Sequence, residues 1–115
     1  MSLNVVTLVG RAGDDPKIKY FDSGKVVCEL PLAVDRPTSK TDKPDWFNLK
    51  IWGKTAETAK NYVSKGSSIG VEGVLQIEQW TDNNGNTRTK PVIRVDRLRL
   101  LGSKRDNAAN AGSSY

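Results

Sequence analysis

The sequence contains no histidine, one cysteine and one methionine, and only 7% of its 115 residues are aromatic. Without histidine the commonest general acid–base is missing, and with it the Ser-His and Cys-His pairs of nucleophilic catalysis. A Cys/His metal site is excluded on the same ground, and the lone Cys28 cannot form a disulfide within the chain. No phosphate-binding lysine loop, dinucleotide fingerprint or nucleophile elbow is present. No apolar run approaches the ~20 residues that span a bilayer. The opening Met1-Ser2-Leu3-Asn4 lacks the basic and apolar regions of a secretory signal, and there is no Asn-x-Ser/Thr sequon. These absences predict a cytoplasmic protein in a reducing compartment, with no cofactor, no metal and no enzymatic activity.

What is there is enough chain for one domain, since domains typically run ~100–150 residues. The net charge is +5, from 18 Lys+Arg against 13 Asp+Glu, which points towards a polyanion. It is unevenly spread. Residues 1–87 are close to neutral, whereas 88–105 carry Arg88, Lys90, Arg94, Arg97, Arg99, Lys104 and Arg105 against Asp96 alone. Such a run is either a solvated strand face or an anion-binding stripe, and its neighbours decide which.

Leu3–Val9 is rich in β-branched residues and predicts a first strand. Gly10-Arg11-Ala12-Gly13 then reads as a turn, and Asp14-Asp15 as solvated turn carboxylates. Lys17–Phe21 is short and strand-like before the turn signal Asp22-Ser23-Gly24. Val26–Val34 alternates, with Val26, Cys28, Leu30, Leu32 and Val34 on one face, so Cys28 is expected in the core. Pro31 within that run predicts an edge or a bulge. After the polar loop Asp35–Asp45, Trp46–Trp52 is the third strand. Lys54–Ser64 is the one helix candidate, with Ala56, Ala59 and Val63 on one face and Gly66 as its C-cap. Ser68–Gln79 is a fourth strand with Ile69, Val71, Leu75 and Ile77 on one parity, and Asn84-Gly85 signals a hairpin. Arg88–Leu101 is the fifth, its apolar parity shifting from Ile93 and Val95 to Leu98 and Leu100, which predicts a bulge near Asp96–Arg97. Residues 103–115 are almost without apolar content and read as a disordered polar tail after a domain of residues 1–102. The order predicts an all-β protein: an OB-fold, a five-stranded Greek-key barrel with one helix between strands three and four, an architecture that commonly binds oligonucleotides.

The third strand is the most informative. By period two, Phe47, Leu49 and Ile51 share the core face while Trp46, Asn48, Lys50 and Trp52 share the other. Tryptophans flanking a lysine suit a single-strand binder, because every base offers a π-face and every linker a phosphate. Trp80 is opposite in parity to the apolar set of its strand and is expected off the core as well. The alternative is that these tryptophans pack under a loop or in a subunit interface.

Asn4–Arg11 with Asp15-Pro16, Trp46-Phe47-Asn48, Trp52-Gly53-Lys54 with Ala56-Glu57 and Tyr62, Lys65-Gly66-Ser67, Glu72-Gly73 with Leu75, and Trp80-Thr81-Asp82 occur in order. This series resembles the bacterial single-stranded DNA-binding proteins over roughly residues 3–102, most of all their short cyanobacterial members. The resemblance implies a homotetramer that wraps single-stranded DNA in replication, recombination and repair at the nucleoid. It places base stacking on Trp46, Trp52 and Trp80 and phosphate contacts on Lys54 and Lys65. The residue reading adds Lys50, Arg88, Lys90 and Arg94. Three departures stand out. A further family stacking aromatic falls on Thr38; the usually basic approach to Trp80 reads Gln76, Glu78, Gln79; and the chain ends Asn-Ala-Gly-Ser-Ser-Tyr in place of an acidic, phenylalanine-terminated tail that recruits partner proteins. A truncated chain and another mode of recruitment both remain open. The β-branched first strand, through Leu3, Val5, Val6 and Leu8, is a candidate edge for assembly. Two rival readings are a dimeric OB-fold replication accessory protein and a protein-interaction module.

Overall fold

A computed structural model of the chain describes residues 3–36 and 43–102. The predicted disordered tail at 103–115 and the aromatic-free position Thr38 lie outside the described residues. The elements, in order, are β1 (Val6–Ala12), β2 (Lys17–Tyr20), β3 (Val26–Val34), β4 (Asp45–Trp52), α1 (Gly53–Tyr62), β5 (Ser68–Thr81) and β6 (Thr87–Leu100). The sheet order is β1-β5-β6-β4-β3-β2, and a further pairing of β1 with β3 closes five strands into a barrel. Among the described residues only the β4–β6 pairing is parallel. The barrel is the expected OB-fold, with its helix between the third and fourth barrel strands. β2 is a sixth strand outside the ring, paired to β3 alone.

The core follows from the alternation. Cys28, Leu30 and Leu32 of β3, Leu49 and Ile51 of β4, Ile69 and Val71 of β5 and Ile93 and Val95 of β6 meet inside the barrel. α1 adds Ala56 and Ala59, whose small side chains let the backbone come close, and its C-cap adds Val63. Cys28 is fully buried, and burial, with the Glu29 carboxylate beside it, pushes its thiol up to about 11. That is a core cysteine and an unreactive one.

Several expectations change. β1 begins three residues later than predicted and runs through Gly10 to Ala12, so the expected turn at 10–13 is mostly strand. Asn4 explains the late start: its side-chain amide donates to the Leu75 carbonyl and accepts from the Leu75 N–H, both at 2.9 Å, in place of main-chain pairing. Asp15 is more than a solvated carboxylate, since it accepts the Lys65 N–H at 2.8 Å. α1 ends at Tyr62, with the extended Val63 as C-cap. Gly66 instead serves the turn Ser64–Ser67, closed by the Ser67 N–H on the Ser64 carbonyl at 2.9 Å. At φ +91° it occupies the third position of that turn, where a left-handed residue is required. β3 is interior, not an edge. Pro31 sits where β3's outer side passes from β2, which ends opposite Glu29, to β1, which starts opposite Leu32, so the ring nitrogen deprives no ladder of a donor.

The bulge falls where predicted. Glu72 pairs with Arg97 and Gly73 with Val95, which leaves Asp96 as the extra residue. β5 and β6 then continue beyond the barrel as a hairpin. Leu75 and Ile77, expected in the core by parity, lie on this extension and are exposed.

Candidate nucleic-acid interface

The outer face is set by register. On β3 and β4, Val27 is opposite Trp52, Glu29 opposite Lys50, Pro31 opposite Asn48 and Ala33 opposite Trp46. Lys50 is level with Arg94 on β6. The hairpin adds Glu78 opposite Lys90 and Trp80 opposite Arg88. By period two, all these side chains point away from the core.

The three tryptophans are 61%, 39% and 47% exposed at Trp46, Trp52 and Trp80. Trp46 lies over Gly13, where a β-carbon would run into the six-membered ring. The six-membered ring therefore sits close against Gly13, and the side chain is still mostly open to solvent. Trp52 stacks on Phe21, with ring centroids 6.1 Å apart and planes inclined by 19°. Phe21 is itself exposed, and nothing in its sequence neighbourhood beyond an aromatic before a turn signals this role. Trp46 and Trp52 are six strand residues apart, roughly 20 Å.

Trp52 forms part of a groove of about 850 Å³ lined also by Lys25, Lys54, Glu57, Arg94 and Asp96. A smaller depression of about 190 Å³ lies at mid-face, lined by Asp14, Lys17, Glu29, Asn48, Lys50 and Lys90 among others. Lys17 and Lys25 are cations that the residue reading passed over. Trp80 and Lys90 share a third depression with Glu78 and Gln79. Lys65 lines none of these and sits on the Ser64–Ser67 turn beside Asp15.

The expected phosphate contacts divide into two groups. Lys50 Nζ is 2.5 Å from Glu78 Oε2 and 3.7 Å from Glu29 Oε1. Arg88 Nε is 2.9 Å from Asp82 Oδ2, and Arg94 Nη2 is 3.6 Å from Asp96 Oδ1. Lys54, Lys65 and Lys90 make no ion pair among the described residues. The hydrogen bond that Lys50 donates to Glu78 holds the ammonium's pKa above its ordinary range, against the opposing effect of partial burial.

Of the proposed assembly edge, Val6 and Leu8 are half-buried against the core, while Leu3 and Val5 are exposed. Val9, which the sequence reading left out, is exposed beside them. From Val6 to Gly10 the outer side of β1 has no ladder partner among the described residues, since β3 pairs only with Arg11 and Ala12.

A family profile described as "Single-strand binding protein family" matches residues 3–101. The chain belongs to the single-strand binding protein family. Among this family's members, it is similar to "Single-stranded DNA-binding protein 1" of Synechocystis sp., with 62% identity over 117 aligned positions covering all of this chain and 97% of the relative. "Single-stranded DNA-binding protein 1" of Nostoc sp. is 62% identical over 115 positions, covering 99% and 94% of the two chains. "Single-stranded DNA-binding protein" of Neisseria meningitidis is 33% identical over 116 positions, covering 96% of this chain and 67% of its own length. The resemblance to cyanobacterial members of the family holds, and membership places the chain among binders, not enzymes. Among the described residues no helix is long and apolar enough to cross a membrane.

Proposed function

We propose that this protein binds single-stranded DNA without sequence preference, laying the strand across the outer face of β3, β4, β6 and the β5–β6 hairpin. Bases stack on Trp46, Trp52 and Trp80, with Phe21 extending the Trp52 platform, and phosphates meet Lys54, Lys65, Lys90, Arg88, Arg94 and Lys50. The observation that carries this reading is the placing of three half-exposed tryptophans on one cation-bearing face, while Leu49 and Ile51 of β4 and Ile69 and Val71 of β5 fill the core. Relatives named for single-stranded DNA binding support it. The protein acts as a homotetramer in bacterial DNA replication, recombination and repair. The unpaired edge of β1 and exposed Leu3, Val5 and Val9 support self-association.

Titration with oligothymidine tests the reading. Stacking quenches tryptophan emission, and Trp52→Ala weakens binding roughly 5- to 150-fold, from ~1–3 kcal/mol per stacked base. Emission from all three tryptophans that DNA leaves unchanged would overturn it and favour rings packed in a protein interface.

A further inference from the structure

The basic groups on the proposed binding face are not free to act as a uniform phosphate track. Lys50 is the cation placed between Trp46 and Trp52, yet its ammonium is held by Glu78 at 2.5 Å and approached by Glu29 at 3.7 Å. Its side chain is only 24% exposed. Glu78 reaches Lys50 from the hairpin, although Lys90 is its register partner on β6. The mid-face depression brings Lys17, Lys50 and Lys90 together with Asp14 and Glu29, and Glu78 closes onto it through Lys50. Three cations meet three carboxylates there, so the middle of the face has no net charge. The groove at Trp52 differs: Lys25, Lys54 and Arg94 outnumber Glu57 and Asp96.

A carboxylate bound to a lysine occupies the same donors that a phosphate would use. A strand crossing the middle of the face must either displace that carboxylate or pass Lys50 without neutralising a phosphate on it. We propose that Glu78, assisted by Glu29, is an internal competitor for phosphate at Lys50 and holds the affinity for single-stranded DNA below what the cations of this face would otherwise give. The proposal rests on the single-strand reading above and assigns Glu78 a role in it. In the parent Lys50 then adds little phosphate neutralisation, and binding falls to the tryptophans and cations on either side of the mid-face.

Oligothymidine titrations of the full chain over a range of salt concentrations test it, comparing the parent with Glu78→Gln, Glu29→Gln and Asp22→Asn. Each added phosphate contact on a single strand steepens the log–log salt dependence by about 0.7, which at 0.1 M salt corresponds to roughly 5-fold tighter binding. Glu78→Gln keeps the side-chain shape on an exposed hairpin and shows that gain in affinity and slope. Glu29→Gln, whose carboxylate is farther from Lys50, shows a smaller gain in the same direction. Asp22→Asn removes an equal charge from an exposed turn, one that holds no cation of this face among the described residues, so it frees no phosphate contact and stays within about 2-fold of the parent. A Glu78→Gln protein that binds no tighter, or with an unchanged slope, overturns the proposal. So does an equal gain in Asp22→Asn, which would reduce the effect to overall charge. A parent that fails to bind oligothymidine removes the single-strand reading itself, and this inference with it.

Discussion

At the scale of single residues, two glycines are placed by what lies next to them. A β-carbon on Gly13 would occupy the space of the Trp46 ring, so the bare backbone there is the bed on which an exposed tryptophan rests. A β-carbon on Gly73 would collide with the carbonyl of Arg94, at the bulge where β6 carries Asp96 as an extra residue. The two obstructions differ in kind. Trp46 is a side chain at the surface and can tilt, whereas the Arg94 carbonyl belongs to the barrel's own ladder and cannot move without breaking register. Gly73→Ala therefore destabilises the fold by roughly 1–3 kcal/mol, the usual range for forced overpacking. Urea unfolding at fixed protein concentration checks this as a lowered midpoint at unchanged slope. An unchanged midpoint would mean that the bulge absorbs the methyl group.

At the scale of elements, the β5–β6 hairpin brings Trp80, Arg88, Lys90 and Glu78 to the proposed binding face, and its tip is organised by one carboxylate. Asp82 Oδ1 accepts the N–H groups of Asn84 and Asn86 at 2.9 Å each, and Oδ2 accepts Arg88 Nε at 2.9 Å. The Gly85 N–H closes the turn on the Asp82 carbonyl at 3.0 Å, and Gly85 at φ +81° takes the left-handed position after it. The Arg88 guanidinium first, then the N–H groups of Asn86 and Asn84, hold the Asp82 carboxyl below its usual 3.8. A depressed carboxylate gives a contribution that is complete above the unfolded-state value and lost as pH falls through the folded one. The tip accordingly stays ordered through pH 5 and 4. The amide resonances of Asn84 and Asn86 shift together, with an apparent midpoint below 3.8. A midpoint at or above that value would separate Asp82 from the tip's order. Much of this element was legible in the chain: the turn residues, the bulge and the outward parity of Trp80. The exposure of Leu75 and Ile77 was not, because alternation records which side of a strand is apolar but not where the strand leaves the barrel. The Glu78–Lys50 pair was hidden for a related reason, since it joins strands by the curl of the hairpin and not by register. Phe21 could be seen only once β2 and its turn were laid against the end of β4.

At the scale of the whole molecule, ring closure and the proposed assembly make different demands on β1. The strand completes the barrel through six register pairs with β5 but only two with β3. That leaves a stretch of main chain from Val6 to Gly10 able to pair with another copy. The sequence showed the β-branched run but not how its residues divide: Val6 and Leu8 face inward, and Leu3, Val5 and Val9 face solvent. Fold and assembly can therefore be separated by adjacent substitutions. Val6→Lys puts a charge against the core and costs roughly 1–3 kcal/mol of stability, because a partly buried polar group lacks a partner there. Val5→Lys puts the same charge on an exposed side chain and leaves the barrel intact by circular dichroism, while like charges brought together across a paired edge oppose association. Sedimentation of the parent as four copies, with Val5→Lys reduced to a smaller folded species, is the expected outcome. A parent that sediments as two copies would favour the dimeric accessory-protein reading. Val5→Lys that sediments like the parent would take the exposed entry to β1 off the contact surface, and assembly would then have to use another surface.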